Sequence, residues 1–240
     1  NEAFKKDEKV VILYNKKGFA SSIECNNCNH IPSCPSCEIP LTYYKKINAL
    51  KCNYCGYYHA YPSTCPSCKS TSGFNEHGIG LEKLQGYLNT MFGEESVIML
   101  DADIASKKNA LKNTLEEFKK TGKKILLGTQ IISKGLDFVD VNLVVIVNVD
   151  NALFFNDLRA NERVYQLITQ TAGRSGRHSN RGEVIIQTKH PHNKIFELVK
   201  ANDFEKFFDY EMSNRLLQKS SPYYYISQIK TIHADEQVAH

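Results

Sequence analysis

The chain contains no run of about 18 apolar residues, the length a helix needs to cross a bilayer, so no transmembrane helix is expected in its 240 residues. It lacks an initiator Met, and Asn1-Glu2-Ala3-Phe4-Lys5-Lys6 has no signal-peptide pattern. The expectation is that it was cut from inside a longer protein. No cysteine stands outside a C-x2-C pair and nothing points to secretion, which argues against a disulfide framework. Neither a G-x-x-x-x-G-K-[ST] string nor an acidic D-E-x-H box occurs. A complete nucleotide-hydrolysis site of that kind is therefore not expected.

The length suffices for one sizeable core plus a smaller module, and 42% hydrophobic residues is ordinary for a globular protein. The net charge of +4 says less than its distribution. Residues 15–72 hold six Lys (16, 17, 45, 46, 51 and 69) and two acids (Glu24, Glu38). Residues 170–182 hold three Arg and no acid. Basic surface on two separate segments fits a polyanionic partner, although lysines of this kind also serve as plain solvated surface.

Five apolar runs read as strands: Val10–Tyr14, Val97–Leu100, Lys124–Thr129, Leu143–Val149 and Glu183–Thr188. The fourth is nearly continuous and β-branched, as in a strand covered on both faces. Helical periods lie between the later strands. Leu81, Leu84, Leu88 and Met91 share one face. Leu111, Leu115 and Phe118 recur after a candidate N-cap at Ser106, with Gly122 as a stop, and a third helix runs over 157–172. This alternation predicts an α/β fold with a parallel sheet. Two more helices are expected beyond Asn193, through Val199 and Leu217, and Ser221–Ile226 reads as the approach to another β element. The interval 21–74 breaks the pattern. It holds all eight Cys and five of the seven Pro, has no long apolar period, is not expected to bury much core, and reads as an inserted small domain.

The cysteines form four pairs, Cys25/Cys28, Cys34/Cys37, Cys52/Cys55 and Cys65/Cys68. Each C-x2-C presents two thiolates to one metal, so four pairs make two tetrahedral sites. Cys34/Cys37 and Cys52/Cys55 have close to zinc-ribbon spacing, which favours a nested arrangement with Cys25/Cys28 joining Cys65/Cys68. Pairing of neighbours in sequence is the alternative, and an iron–sulfur cluster a further one. Four thiolates per ion leave no open position, so such zinc is structural. His30 and His59 are then surface or packing residues. The tyrosines among the lysines (Tyr43, Tyr44, Tyr54, Tyr57, Tyr58, Tyr61) either pack the module or stack on bases of single-stranded DNA.

Gln170-Thr171-Ala172-Gly173-Arg174-Ser175-Gly176-Arg177 closes the third helix. Two Arg three apart can share one face of a turn, the glycines permit close approach, and an Arg aimed at a γ-phosphate stabilises the transferring group. Upstream, Gly128-Thr129-Gln130 follows a strand and precedes Lys134-Gly135-Leu136-Asp137-Phe138. A strand end opening into a polar turn suits phosphate contact. Together these segments resemble motifs V and VI of superfamily 2 helicases. With the cysteine spacing, the opening Leu13-Tyr14-Asn15-Lys16-Lys17-Gly18-Phe19-Ala20 and the segment Gly78-Ile79-Gly80-Leu81-Glu82, residues 10–230 are similar to the PriA family of bacterial replication-restart helicases.

The resemblance implies a RecA-like second motor lobe with an inserted two-zinc, cysteine-rich domain, divided as 1–20 (start of the lobe), 21–74 (zinc module), 75–200 (remainder of the lobe) and 201–240 (helix and start of a further domain). It implies an ATP-dependent 3′-to-5′ DNA helicase that recognises stalled forks and D-loops and assembles the primosome. The zincs would be nested, with Cys25, Cys28, Cys65 and Cys68 in one site and Cys34, Cys37, Cys52 and Cys55 in the other. Arg177 would be the arginine finger with Arg174 beside it. Gln170, Gly173, Gly135 and Asp137 would serve ATP binding and coupling, and Thr129, Gln130, Lys134, Lys45 and Lys46 would contact DNA. ATP and Mg2+ would bind with the help of a first lobe. The implied partners are forked and single-stranded DNA, primosome proteins and single-stranded-DNA-binding protein. A monomer without membrane contact is implied, in the bacterial cytoplasm at the nucleoid. Asp101-Ala102-Asp103 departs from the D-R-D-like stretch usual at that place in the family. A separate reading makes the chain a zinc-dependent docking module for DNA or protein on a helicase-like scaffold.

Overall fold

The computed structural model describes residues 3, 8–106, 109–120, 122, 124–133, 141–154, 157–172 and 182–227. The chain opens with strand β1 (Lys9–Tyr14) and then runs through five short strands: β2 (Ser22–Cys25), β3 (Thr42–Tyr44), β4 (Ala49–Lys51), β5 (Tyr58–Ala60) and β6 (Phe74–His77). Helix α1 (Leu81–Phe92) and strand β7 (Val97–Leu100) follow, then α2 (Ala102–Ala105), α3 (Ala110–Lys120), β8 (Ile125–Gly128) and β9 (Val141–Val147). The remainder is α4 (Asp150–Leu153), α5 (Ala160–Ala172), β10 (Glu183–Ile186), α6 (Lys194–Ala201) and α7 (Phe204–Leu217).

All five expected strands join one parallel sheet in the order β10-β9-β1-β8-β7. Strand β1 lies at its centre because both of its faces are apolar. Val10 and Tyr14 pack with Leu81 and Leu88 of α1 and with Val97, Ile125 and Leu127. The alternate residues Val11 and Leu13 are equally buried, so this strand is covered on both sides. Strand β9 starts at Val141, two residues before its expected start, because Lys9 pairs with Val141 ahead of a register shift. It ends at Val147, since Asn148 adopts a left-handed φ of 55°. On α1, Met91 is 66% exposed and Phe92 packs against the core instead.

The second expected helix is capped elsewhere. Asp101 Oδ1 accepts the Ile104 N–H at 2.7 Å and so caps the short α2, and α3 starts at Ala110 after Asn109, whose φ is 62°. Ser106 is therefore not the N-cap.

Two compact units are recognised. One comprises residues 1–148 and 171–187, the other 149–170 and 188–240. In the second, Tyr165 stacks on Phe207 at 3.9 Å. Buried Glu211 accepts from Arg215 Nε at 3.0 Å and from Asn161 Nδ2 at 3.1 Å. Asn193 caps α6 and Asp203 caps α7 through their side chains. Residues 221–227 form a turn followed by chain without regular secondary structure. Among the described residues no helix is long and apolar enough to cross a membrane.

Candidate metal centres and phosphate-contact segments

The insert is closed at its base by the antiparallel pair β2–β6, with Ser22 opposite His77 and Cys25 opposite Phe74. Strands β3, β4 and β5 form a small antiparallel sheet within it. It has more core than its sequence promised: Ala20, Ile23, Leu41, Tyr43 and Leu50 are buried together with Cys34 and Cys52. A line of rings runs through that core, Phe19–Tyr43 at 5.9 Å, Tyr43–Tyr61 at 4.7 Å and Tyr61–Phe74 at 5.8 Å. The tyrosines are thus divided between packed and exposed positions. Tyr43, Tyr57 and Tyr61 pack the core, whereas Tyr54 and Tyr58 are 76% and 57% exposed.

The four C-x2-C segments are four copies of one turn. In each, the first Cys donates its N–H to the carbonyl five residues on: Cys25 to His30, Cys34 to Ile39, Cys52 to Tyr57 and Cys65 to Ser70. In each, the first Cys carbonyl accepts from the residue four on, namely Asn29, Glu38, Gly56 and Lys69. Those four residues all have positive φ, between 57° and 81°. Only Gly56 adopts that conformation without a Cβ penalty. The turn turns both sulfurs toward one point.

The turns converge in nested fashion. The sulfurs of Cys25, Cys28, Cys65 and Cys68 lie within 4.8 Å of one another, as do those of Cys34, Cys37, Cys52 and Cys55. Individual separations are 3.8 Å (Cys25–Cys68), 3.7 Å (Cys28–Cys65) and 3.5 Å (Cys34–Cys55). A tetrahedron with metal–sulfur bonds of about 2.3 Å has edges of about 3.8 Å. A disulfide needs about 2.05 Å. The clusters therefore fit one ion each, with no room for a core of several irons and sulfides. Their electrostatics points the same way. Burial, with the neighbouring thiols Cys55 and Cys52, pushes Cys37 up to about 12. Cys52 comes down to about 7, because burial is outweighed by N–H donors of Cys55 and Tyr54. In the other cluster the Asn27 amide is the main cause that draws Cys68 down to about 6. Four thiols cannot all ionise side by side unless a cation compensates them.

His30 and His59 are absent from both clusters. They line a cleft of about 520 Å³ with Pro32, Pro35, Glu38 and Tyr57, and His59 Nδ1 lies 2.6 Å from the Ala60 carbonyl.

The insert is seated on α1. The first N–H groups of that helix have no side-chain cap. Leu81 and Glu82 instead donate to the carbonyls of Lys16 and Gly18 at 2.8 and 2.9 Å. Gly80 must be glycine here, since a Cβ would stand 2.1 Å from the Gly18 oxygen. Lys45 and Lys46 lie exposed at the tip of the β3–β4 hairpin, in a 3-10 turn over Lys45–Ile47. Lys46 Nζ donates to Gln85 Oε1 at 3.1 Å, and Lys45 Nζ lies 4.7 Å from the centre of the Phe19 ring.

At the carboxyl end of the sheet, Gly128 pairs with both Leu13 and Leu100. Thr129 is buried, and Gln130 begins a 3-10 turn over Gln130–Ser133. Ends of adjacent parallel strands are where open α/β sheets bind ligands. Gln170 lies exposed near the end of α5. Lys134, Gly135, Asp137, Gly173, Arg174 and Arg177 lie outside the described residues. The common turn of the knuckles and the hairpin seat were missed by sequence reasoning. A signal for the first existed in the Asn, Glu, Gly or Lys that follows each second Cys. The second had none.

Residues 70–179 match the Helicase conserved C-terminal domain, and residues 34–58 match the PriA DNA helicase Cys-rich region (CRR) domain. The chain is 40% identical over 242 aligned residues to the replication restart protein PriA of Bacillus subtilis (strain 168), covering 99% of the chain and 29% of that protein. It is 41% identical over 202 residues to PriA of Haemophilus influenzae, covering 84% and 28%, and 35% identical over 205 residues to PriA of Treponema pallidum, covering 85% and 31%. The chain thus spans less than a third of the length of these curated relatives.

Proposed function

We propose, from the premise that this chain belongs to the PriA family of replication restart proteins, that it forms the second motor lobe of an ATP-dependent DNA helicase. That helicase unwinds 3′ to 5′, recognises stalled forks and D-loops, and assembles the primosome. One observation carries the reading: two four-thiol clusters stand between β1 and β7 of a five-stranded parallel sheet, in a chain whose residues 70–179 match a helicase domain. Residues 1–20 and 75–200 make the RecA-like lobe, 21–74 the zinc module and 201–240 a helix and the start of a further domain.

Each cluster holds one Zn2+ as a structural ion, because four thiolates close its coordination. Arg177 reaches the γ-phosphate of ATP as the finger, with Arg174 beside it. Gln170, Gly173, Gly135 and Asp137 couple the nucleotide to motion. Thr129, Gln130 and Lys134 take the DNA backbone, and Lys45 and Lys46 add phosphate contacts from the module. ATP, Mg2+ and a first lobe complete the engine. The protein works as a cytoplasmic, nucleoid-associated monomer with primosome proteins and single-stranded-DNA-binding protein. In the full-length protein, Arg177→Ala should abolish ATP hydrolysis and leave DNA binding largely intact. Robust ATP turnover by this chain alone would refute the division of labour.

The exposed hairpin tip and the exposed Tyr54 and Tyr58 favour a second reading, in which the module chiefly docks DNA or protein. Lys45→Glu with Lys46→Glu should then weaken binding without touching hydrolysis. Unchanged binding would make these lysines plain solvated surface.

A further inference from the structure

The module joins the lobe through two short links, and glycines stand in both. Gly18 and Gly78 have φ of 76° and 77°, and Gly80 is pressed against the Gly18 carbonyl. These links set where the module is attached. The first link also holds the root of the hairpin, where Tyr43 pairs with Phe19 and Ala20, and leaves the 3-10 turn at the tip to be held by other contacts.

A second attachment lies at the tip. Glu82, in the first turn of α1, directs Oε2 at the backbone N–H groups of Lys45 (3.0 Å) and Lys46 (3.5 Å). These are the leading N–H groups of the 3-10 turn, which has no side-chain cap of its own. Gln85, one turn along α1, accepts from Lys46 Nζ. Phe19 receives two ammonium groups, Lys45 at 4.7 Å and Lys83 at 5.3 Å, and Lys83 also lies 3.7 Å from Glu76 of β6. A carboxylate accepting backbone N–H groups makes a charge-assisted bond, stronger and more directional than a neutral one. Of the flanking contacts, Lys46 Nζ to Gln85 Oε1 at 3.1 Å is of similar length, but it ties a long side chain rather than the backbone.

We infer that Glu82 is a positioning residue: its carboxylate holds the backbone of the hairpin tip against α1 and thereby sets the direction in which Lys45 and Lys46 meet a polyanion. The clamp stands on the geometry alone. Its consequence for DNA rests on the proposed function.

Two readouts on the zinc-loaded chain separate the two. Amide hydrogen exchange reads the clamp directly. Glu82→Ala should raise the exchange rate of the Lys45 amide by about tenfold or more, the equivalent of one charge-assisted hydrogen bond. Glu82→Gln, which keeps an acceptor oxygen, should restore part of the protection. Amides of β1 and β4 should be unchanged in both variants. Unaltered exchange at Lys45 in both variants overturns the inference. The second readout is binding of a single-stranded oligonucleotide. Removing an acid beside lysines strengthens binding if charge alone matters. It weakens binding if Glu82 aims the lysines. Faster exchange with tighter or unchanged oligonucleotide binding upholds the clamp and overturns only the claim that Glu82 aims Lys45 and Lys46 at DNA.

Discussion

Gly128 ends β8 immediately before the Thr129–Gln130 turn, and it tests how tightly that strand end is built. Its φ is not left-handed, so alanine is allowed by the backbone there. The obstacle is space. A Cβ at Gly128 would stand 2.0 Å from the Leu100 carbonyl oxygen and 2.3 Å from Ile132 Cδ1. The Ile132 methyl can rotate away. The Leu100 oxygen belongs to the paired strand and also accepts the Thr129 N–H at 3.4 Å. Either β7 retreats by roughly an ångström or the Thr129 turn swings out. Overpacking by one methyl costs about 1–3 kcal/mol, and a backbone obstacle places this site at the upper end. For a chain of this length each kcal/mol moves Tm by about 2–4 °C, so Gly128→Ala should melt roughly 5–10 °C lower. Gly86 is the internal control. It lies inside α1 with nothing within 4 Å of its would-be Cβ, so Gly86→Ala should gain about 0.5–1 kcal/mol from helix propensity. Thermal melts by far-UV circular dichroism compare the two. A Gly128→Ala chain that melts within a degree of the parent, or above it, contradicts the packing argument.

Other consequences are equally direct. Elemental analysis should find two zinc ions per chain. Chelation should open residues 21–74 to protease while the parallel sheet keeps its protection, because binding energies of about 10–16 kcal/mol for structural zinc are folding energy for such a module. Glu38 and Lys69 occupy the left-handed knuckle position that Gly56 fills in a third copy. Glu38→Gly or Lys69→Gly should raise resistance to chelator by roughly 1 kcal/mol each, read as the chelator midpoint, and no shift in either would contradict the strain assigned to them. Arg215→Ala should cost about 3 kcal/mol in thermal unfolding, since it removes the cationic partner of the buried Glu211 carboxylate and leaves the Asn161 amide as its remaining described donor. The Arg159 guanidinium, ahead of the weaker Arg215 contact, holds the Glu162 carboxyl below the ordinary glutamate value. A depressed folded value favours the native state above the unfolded value, and that stability is lost as pH falls through the folded one. Acid titration below about pH 4.3 should therefore destabilise the parent more than Glu162→Gln. Parallel acid curves would show the pair to be inert.

Much of this protein was legible residue by residue. Strand runs such as Val10–Tyr14 and Leu143–Val149 announce the strands of the sheet because hydrophobicity and β-branching are local properties of the run, although Leu143, Val145 and Val147 are only half-buried. The nesting of the cysteines was legible because ligand number and loop length leave few ways to complete two tetrahedra. The N-cap placed at Ser106 was not, because Asp101, five residues upstream, caps a separate short helix there, and α3 starts only after Asn109. The expectation that 21–74 buries little core failed because rings such as Tyr43 and Tyr61, which show no period, meet only after the knuckles have closed.

Chemistry held within a short stretch of chain was therefore determined by the sequence itself: which cysteines form two-thiol knuckles and which runs become strands. Long-range approach was decided by the tertiary structure alone. Glu82 and Lys45 are 37 residues apart, and Asn161 and Glu211 are 50 apart. The physical reason is that a carboxylate or an amide carries no mark of its partner. Its role depends on which donors the folded backbone brings within hydrogen-bond distance, and on how much water is left to compete for them.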